Sequence, residues 1–138
     1  MRADATLPHV WTDGGVAIEA QFTGVHLLHL AAAGCVLNDV YRESVRSGVV
    51  VVGALVTADG DFDRETWQST GVVYTIELDS PSPQADVRRL LRAVDEVAEI
   101  PRAPRPRPSR AWPDDRLVRS SAPRGMSGCP SELSPAVR

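Results

Sequence analysis

The longest apolar stretch of the chain runs from Val25 to Leu37 and predicts a helix. Thr23 is a favoured N-cap residue and Gly48 a favoured C-terminal stop, so we expect the helix to end at about Ser47. Its first half is apolar nearly all round, which is typical of a helix enclosed by other elements. Beyond Asn38 the pattern becomes amphipathic, and there the helix is expected to meet solvent.

Two further stretches predict long strands. Gly48 to Thr57 is rich in valine and predicts a buried strand, whereas Gly71 to Leu78 alternates between apolar and polar positions. The apolar face of the second strand is formed by Val72, Tyr74, Ile76 and Leu78. Between them, Asp59 to Glu65 lacks the ligand spacing of a calcium loop, so we expect a solvated acidic loop.

The remaining elements are a hairpin and a second helix. A short strand over Val16 to Gln21 is predicted to pair with Pro8 to Trp11 through a turn at Asp13 to Gly15. The second helix is predicted to begin at Pro83 and to end before Pro101. Its helically spaced apolar positions are Val87, Leu90, Leu91, Val94 and Val97. Two helices against antiparallel strands make an α+β domain.

The two ends of the chain differ in charge and proline content. Residues 1–100 hold 7 arginines and 15 acidic residues, whereas residues 101–138 hold 8 arginines, 3 acidic residues and 8 of the 11 prolines. A proline- and arginine-rich segment without apolar periodicity cannot offset its ordering entropy. We therefore expect one domain over residues 1–103 and a disordered tail over 104–138, with no helix or strand beyond about Ala103.

Composition also narrows the partners and the compartment. The acidic body argues against nucleic-acid binding, and the longest apolar stretch is shorter than the roughly 18 residues that a membrane span needs. Because the opening residues do not resemble a signal peptide, we expect a cytoplasmic protein without a membrane partner. The two cysteines, Cys35 and Cys129, make neither a disulfide framework nor a metal cluster. We expect no metal and no other cofactor.

Cys35 is the candidate nucleophile of the long helix. A buried structural thiol is the competing interpretation, because free cysteines often pack as small hydrophobes. Asn38 and Asp39 share the helix face of Cys35, and an ionised Asp39 would oppose thiolate formation. Arg42 lies on the same face but about 10 Å further along the axis, too far for direct pairing. Activation of Cys35 is therefore expected to come from elsewhere in the fold.

His26 and His29 form a second candidate group, because residues three apart share a helix face. Such a pair suggests two metal ligands or a general base, but no third ligand is evident. His29 is also about 120° round the helix from Cys35, which is poor geometry for a Cys–His pair within one chain. We favour core or interface histidines and keep both as candidate supporting residues, together with Asn38 and Asp39.

The long helix leads from Leu27-Leu28 through Ala31-Ala32-Ala33-Gly34 into Cys35 and Asn38-Asp39, and a second segment follows at Asp95 to Pro101. Together these two segments resemble the OsmC/Ohr family of peroxiredoxin-like hydroperoxide reductases. The resemblance covers roughly Trp11 to Pro101. It implies an OsmC-like intertwined homodimer with active sites at the subunit interface. It also implies an oxidative stress response in which Cys35 reduces peroxide or organic hydroperoxide and an external thiol restores it.

The chain departs from the family pattern at three positions. The family's glutamate falls at Val25, the only arginine ahead of the helix is Arg2, and Ile100 occupies the place of the resolving cysteine. Cys129 lies in the tail and is not expected to replace it. A weak hydroperoxide reductase is therefore the leading prediction. The alternative is a noncatalytic dimeric protein that binds an apolar small molecule in a cavity around Cys35, His26 and His29.

Overall fold

The structure, a computed structural model, describes residues 3–98 and 136–137. It confirms a small α+β fold with two helices packed against antiparallel strands. In chain order the elements are β1 (Ala5–Leu7), β2 (Val16–Glu19), α1 (Gly24–Ser47), β3 (Gly53–Phe62), β4 (Ser69–Asp79), α2 (Gln84–Val97) and β5 (Ala136–Val137).

The strands form one antiparallel sheet in the order β1-β2-β5-β3-β4. Two hairpins, β1-β2 and β3-β4, are its halves, and β5 joins them. The register places Val137 opposite Ile18 on one side and Val56 on the other. Because directly opposed residues of a sheet point to the same face, these three side chains lie together under the helices.

Helix α1 packs on the sheet against β3, β4 and β5, and α2 packs against α1. The predicted caps of α1 are confirmed: the hydroxyl of Thr23 accepts a hydrogen bond from the backbone N–H of His26, and Gly48 adopts a left-handed φ of 70°. The fully buried side chains of the core come from both helices and from β3, and include Val36, Leu37, Val40, Val56, Leu90 and Val94.

The first half of α1 is less enclosed than its sequence predicts. Leu27 and Leu28 are 40% and 41% exposed, although both belong to the apolar stretch. The second half is instead more buried than expected, since Asp39 and Glu43 are buried there. In a single chain, therefore, the apolar side of α1 is open near its N-terminus.

Three predicted boundaries differ from the structure, and the first is that the strand predicted from Gly48 begins at Gly53. The partner of β2 is Ala5–Leu7, and the prediction of Pro8 to Trp11 is wrong because that segment packs His9 against Tyr41 of α1 instead. The predicted acidic loop is also wrong in part. β3 continues to Phe62, because Asp59 and Asp61 occupy exposed positions of the strand while the backbone stays paired with β4. The turn is shorter than the expected loop and follows Phe62.

The expectation of no strand beyond Ala103 is wrong at Ala136–Val137, which form β5. Val137 is 2% exposed and is part of the core. A two-residue strand has no periodicity that a sequence could display, and its pairing depends on residues more than 70 positions away in the chain. The other residues of the predicted tail, 104–135 and 138, lie outside the described part, as does Pro101, the predicted helix stop.

Candidate functional site

Cys35 lies near the middle of α1 and is only partly buried. The next two residues, Val36 and Leu37, are buried in the core with 0% and 1% exposure. Cys35 therefore lies at the border between the helix face that packs on the core and the face that meets solvent. Its sulfur lies 3.9 Å from Oδ2 of Asp39, one turn further along the helix. A weak S–H···O contact is what this distance allows.

Asp39 is held from its other side by an arginine. Nη2 of Arg42 lies 2.7 Å from Oδ1 of Asp39, and Nε of Arg42 lies 3.3 Å from Oε1 of the buried Glu43. The same Glu43 oxygen also accepts a hydrogen bond from Nη1 of Arg46 at 3.2 Å. Cys35, Asp39, Arg42, Glu43 and Arg46 thus form a continuous polar row, which we call the thiol–carboxylate row.

In this row the carboxylate of Asp39 lies between the sulfur of Cys35 and the guanidinium of Arg42. The guanidinium of Arg42 is paired with this carboxylate. Its pKa is raised, first by the hydrogen bond to Glu43 and then by the charge of Asp39, so the guanidinium stays protonated.

Asn38, the second predicted neighbour of Cys35, is bound to the N-terminal segment. Its Oδ1 lies 3.0 Å from Nε2 of His9, and Nδ1 of His9 lies 2.9 Å from the hydroxyl of Thr12. The His9 ring also makes edge contacts with Trp11 and Tyr41, each at 5.4 Å between centroids. Burial raises the pKa of Tyr41. The segment before β2 therefore packs on the helix face next to Cys35.

His26 and His29 are both buried but do not join Cys35. Nδ1 of His26 lies 2.6 Å from the hydroxyl of Thr23, so this ring belongs to the N-cap of α1. His29 is 2% exposed, and its Nε2 has no hydrogen-bond partner within residues 3–98 and 136–137. Six residues separate it from Cys35, which corresponds to about 9 Å along the axis. His26 therefore belongs to the N-cap of α1, and His29 lies against Gly60 of β3 rather than at the thiol.

Nothing in the described residues assembles a metal centre, since no three His, Cys, Asp or Glu side chains come together there. Among the described residues, neither α1 nor α2 is long and apolar enough to cross a bilayer.

The chain matches no protein-family model, and a search of curated proteins finds no similar sequence. The chemistry of the site therefore has to be argued from its own geometry.

Sequence reasoning missed three contributors to this region. The i, i+3 spacing of Asp39 and Arg42 predicts the ion pair that forms between them. The i, i+3 spacing of Glu43 and Arg46 likewise predicts the ion pair between these two residues. His9 had none, because its contact with Asn38 joins residues 29 positions apart and is created by the path of the chain before β2.

Proposed function

We propose that this protein is a thiol-dependent peroxide or organic hydroperoxide reductase acting through Cys35. The observation that carries the proposal is the position of the thiol. A cysteine that serves only as a small hydrophobe is expected to be enclosed in the core, like Val36 beside it. Cys35 is instead partly exposed and contacts a carboxylate that is already paired with an arginine.

The reaction would proceed by two sulfur-centred steps. The Cys35 thiolate attacks the distal peroxide oxygen, an S–O bond forms, the O–O bond breaks, and the leaving oxygen takes a proton to become water or alcohol. Sulfur is oxidised to the sulfenic acid. One molecule of an external thiol then displaces water to give a mixed disulfide, and a second thiol releases Cys35 and leaves as the oxidised disulfide. Peroxidase activity of this kind needs no cofactor.

The proposal includes membership of the OsmC/Ohr family and an intertwined homodimer. Support for the dimer comes from the open apolar side of α1, where Leu27 and Leu28 are exposed. Phe22, just ahead of the helix, is 91% exposed and adds to the exposed apolar surface at the same end of α1. A second subunit over this end would cover the apolar side chains.

A second candidate function is a noncatalytic dimeric protein that binds an apolar small molecule. The observation that favours it is a departure from the resembled family. The described residues around Cys35 do not include the glutamate and the arginine that this family has there. The same exposed leucines would then line a ligand surface rather than a substrate path.

The deciding experiment is stopped-flow consumption of cumene hydroperoxide by the full chain, with dithiothreitol as the external thiol. Cys35→Ser should abolish turnover, and Cys129→Ser should leave it unchanged. Trapping with dimedone should label Cys35 after stoichiometric peroxide. Full activity in Cys35→Ser, or no turnover by the unmodified protein, would remove the reductase proposal. Saturable binding of an apolar probe without turnover would favour the second candidate.

A further inference from the structure

We propose that the far end of the β3-β4 hairpin is a proton-sensitive flap, which packs on α1 while His29 is neutral and swings away when His29 is protonated. This distal end is defined as residues 60–71, which include the turn after Phe62. The inference does not depend on the chemistry proposed for Cys35. It rests on the packing of His29, on the backbone of the hairpin beside the ring, and on the burial along β3 and β4.

The ring of His29 is tightly enclosed on the side that faces the hairpin. His29 is 2% exposed, and its Nε2 has no hydrogen-bond partner within the described residues. A Cβ built on Gly60 would stand 2.8 Å from Nε2, so this nitrogen abuts the backbone of β3. A neutral ring can present an unprotonated Nε2 there. Protonation makes both ring nitrogens donors, and a buried N–H without an acceptor is costly, so the packed arrangement favours the neutral ring.

The hairpin has the backbone features of a hinge at the level of this ring. Gly71 of β4 has a φ of 122°, in the region that favours glycine. The register between the strands shifts between Asp61 and Phe62, so that Thr70 is an extra residue on β4. An extra residue of this kind bends a strand locally and interrupts its pairing. The hairpin can therefore bend here while the pairing nearer the core is kept.

Burial decreases along the hairpin at the same level. Ala54, Val56 and Ala58, in the first half of β3, are buried in the core. None of the described residues from 59 to 73 is buried, and Trp67 in the turn is 78% exposed. Segments with few buried apolar contacts open at a lower free energy than the core. The first half of β3 should therefore stay on the core while the distal end moves.

The charged groups around His29 set the sign of the response. Burial lowers the pKa of His29, Asp59 on β3 opposes this effect, and His26 on α1 adds to it. On the β4 side, residues 69–73 include no titratable side chain. When the distal end opens, the ring meets water and returns to its ordinary pKa of about 6.5. The open form then binds more protons than the packed form, so opening increases as the pH falls below that value.

Hydrogen exchange of the full chain, followed by mass spectrometry at pH 7.5 and pH 5.5, measures this opening. Exchange is expressed as protection factors, which correct for the effect of pH on intrinsic exchange. Protection over the distal end, residues 60–71, should fall by about fivefold to tenfold between the two pH values. Protection over residues 53–58 of β3 should change by less than about twofold, because these residues stay on the core.

Variants assign the effect to the ring. His29→Gln should abolish the pH-dependent fall over residues 60–71, because glutamine does not titrate. His9→Gln is the matched control, since His9 contacts Asn38 and Tyr41 rather than the hairpin, and it should keep the fall. If His29→Gln loosens the protein at every pH, the comparison of the two segments in the unmodified chain still decides.

Three results would overturn the inference. The first is unchanged protection over residues 60–71 in the unmodified chain at pH 5.5. The second is an equal loss over residues 53–58, which would mean that the whole domain unfolds rather than the distal end. The third is a fall that persists in His29→Gln. Peroxide turnover by Cys35 is unaffected by the argument, so neither its presence nor its loss would change this reading.

Discussion

Nε2 of His29 lies against the backbone of Gly60, where a Cβ on residue 60 would stand 2.8 Å from that nitrogen. The same Cβ would press on the carbonyl oxygen of Gly71 across the β3-β4 hairpin. His29 thus occupies the space that a side chain on β3 would otherwise need. The contact between His29 and Gly60 fixes how closely α1 and the β3-β4 hairpin approach each other.

Gly60→Ala should therefore destabilise the protein. The added methyl group has backbone on one side and a buried ring on the other, so overpacking should lower the free energy of unfolding by about 1–3 kcal/mol. Urea denaturation followed by circular dichroism measures the change. Gly34→Ala is the matched control, because a Cβ at this helical position meets nothing within 4 Å and should stabilise by about 0.5–1 kcal/mol. Equal behaviour of the two variants would contradict the packing argument.

The same histidine should make stability depend on pH. Burial lowers the pKa of His29 and the nearby His26 lowers it further, whereas Asp59 opposes both effects. A histidine with a lowered pKa in the folded state binds fewer protons there than in the unfolded chain. Its contribution is therefore fully present above the unfolded value of about 6.5 and is lost as the pH falls below it. We expect the free energy of unfolding to decrease from pH 7 towards pH 5.

Replacement of single histidines separates this contribution from that of the carboxylates. His29→Gln should flatten the fall in stability between pH 6.5 and pH 5, because the group that must be protonated on unfolding is gone. His9→Gln should leave the slope from His29 in place. Chemical denaturation at half-unit pH intervals measures both slopes. An unchanged slope in His29→Gln would show that other groups carry the pH dependence.

The helices and the main hairpin could be predicted from sequence because their signals are local. Thr23 and Gly48 mark the ends of α1, and the alternation over β4 matches the face that packs on the core. The strand pairings at the sheet's other half could not be predicted in this way. Pairing of Leu7 with Val16, and of Val137 with Ile18, depends on the path of the chain between them. The local pattern of apolar and polar residues does not predict that path.

The candidate site also combines features that the local sequence predicts with features that it does not. The face shared by Cys35 and Asp39 follows from helical spacing and is found in the structure. The burial of Asp39 did not follow, because carboxylates are usually exposed and only the packing of other elements over α1 encloses this one. The contact of His9 with Asn38 had no local signal either. Both features depend on tertiary packing.

The open apolar side of α1 gives a prediction about assembly. If a second copy covers Leu28, which is 41% exposed in the single chain, Leu28→Glu should place a charge in the interface and dissociate the dimer. Sedimentation velocity at micromolar concentration should show a dimer for the unmodified protein and a folded monomer for the variant. Val73→Glu is the control, because Val73 is 71% exposed on β4 and should not affect the mass. A folded monomer in every case would remove the interface.

The last prediction concerns β5. Val137 is 2% exposed and packs with the core, so Val137→Ala should lower the free energy of unfolding by roughly 1–3 kcal/mol through lost burial and the cavity left behind. Val73→Ala, on an exposed position of β4, should change it by less than about 0.5 kcal/mol. Urea denaturation of the two variants at pH 7.5 gives the comparison. Equal effects would mean that β5 is not part of the stable core.

Truncation tests the same strand more severely. Within the described residues β5 is the strand that joins β2 to β3, and its removal takes away the strand that pairs with Ile18 on one side and Val56 on the other. A chain that ends at Pro135 should therefore lose far more stability than one that lacks Arg138 alone. Hydrogen exchange should also accelerate at those amides of β3 that point towards β5, because β3 then becomes a sheet edge. Unchanged exchange along β3 in the shorter chain would show that the two hairpins hold their arrangement through α1 without the joining strand.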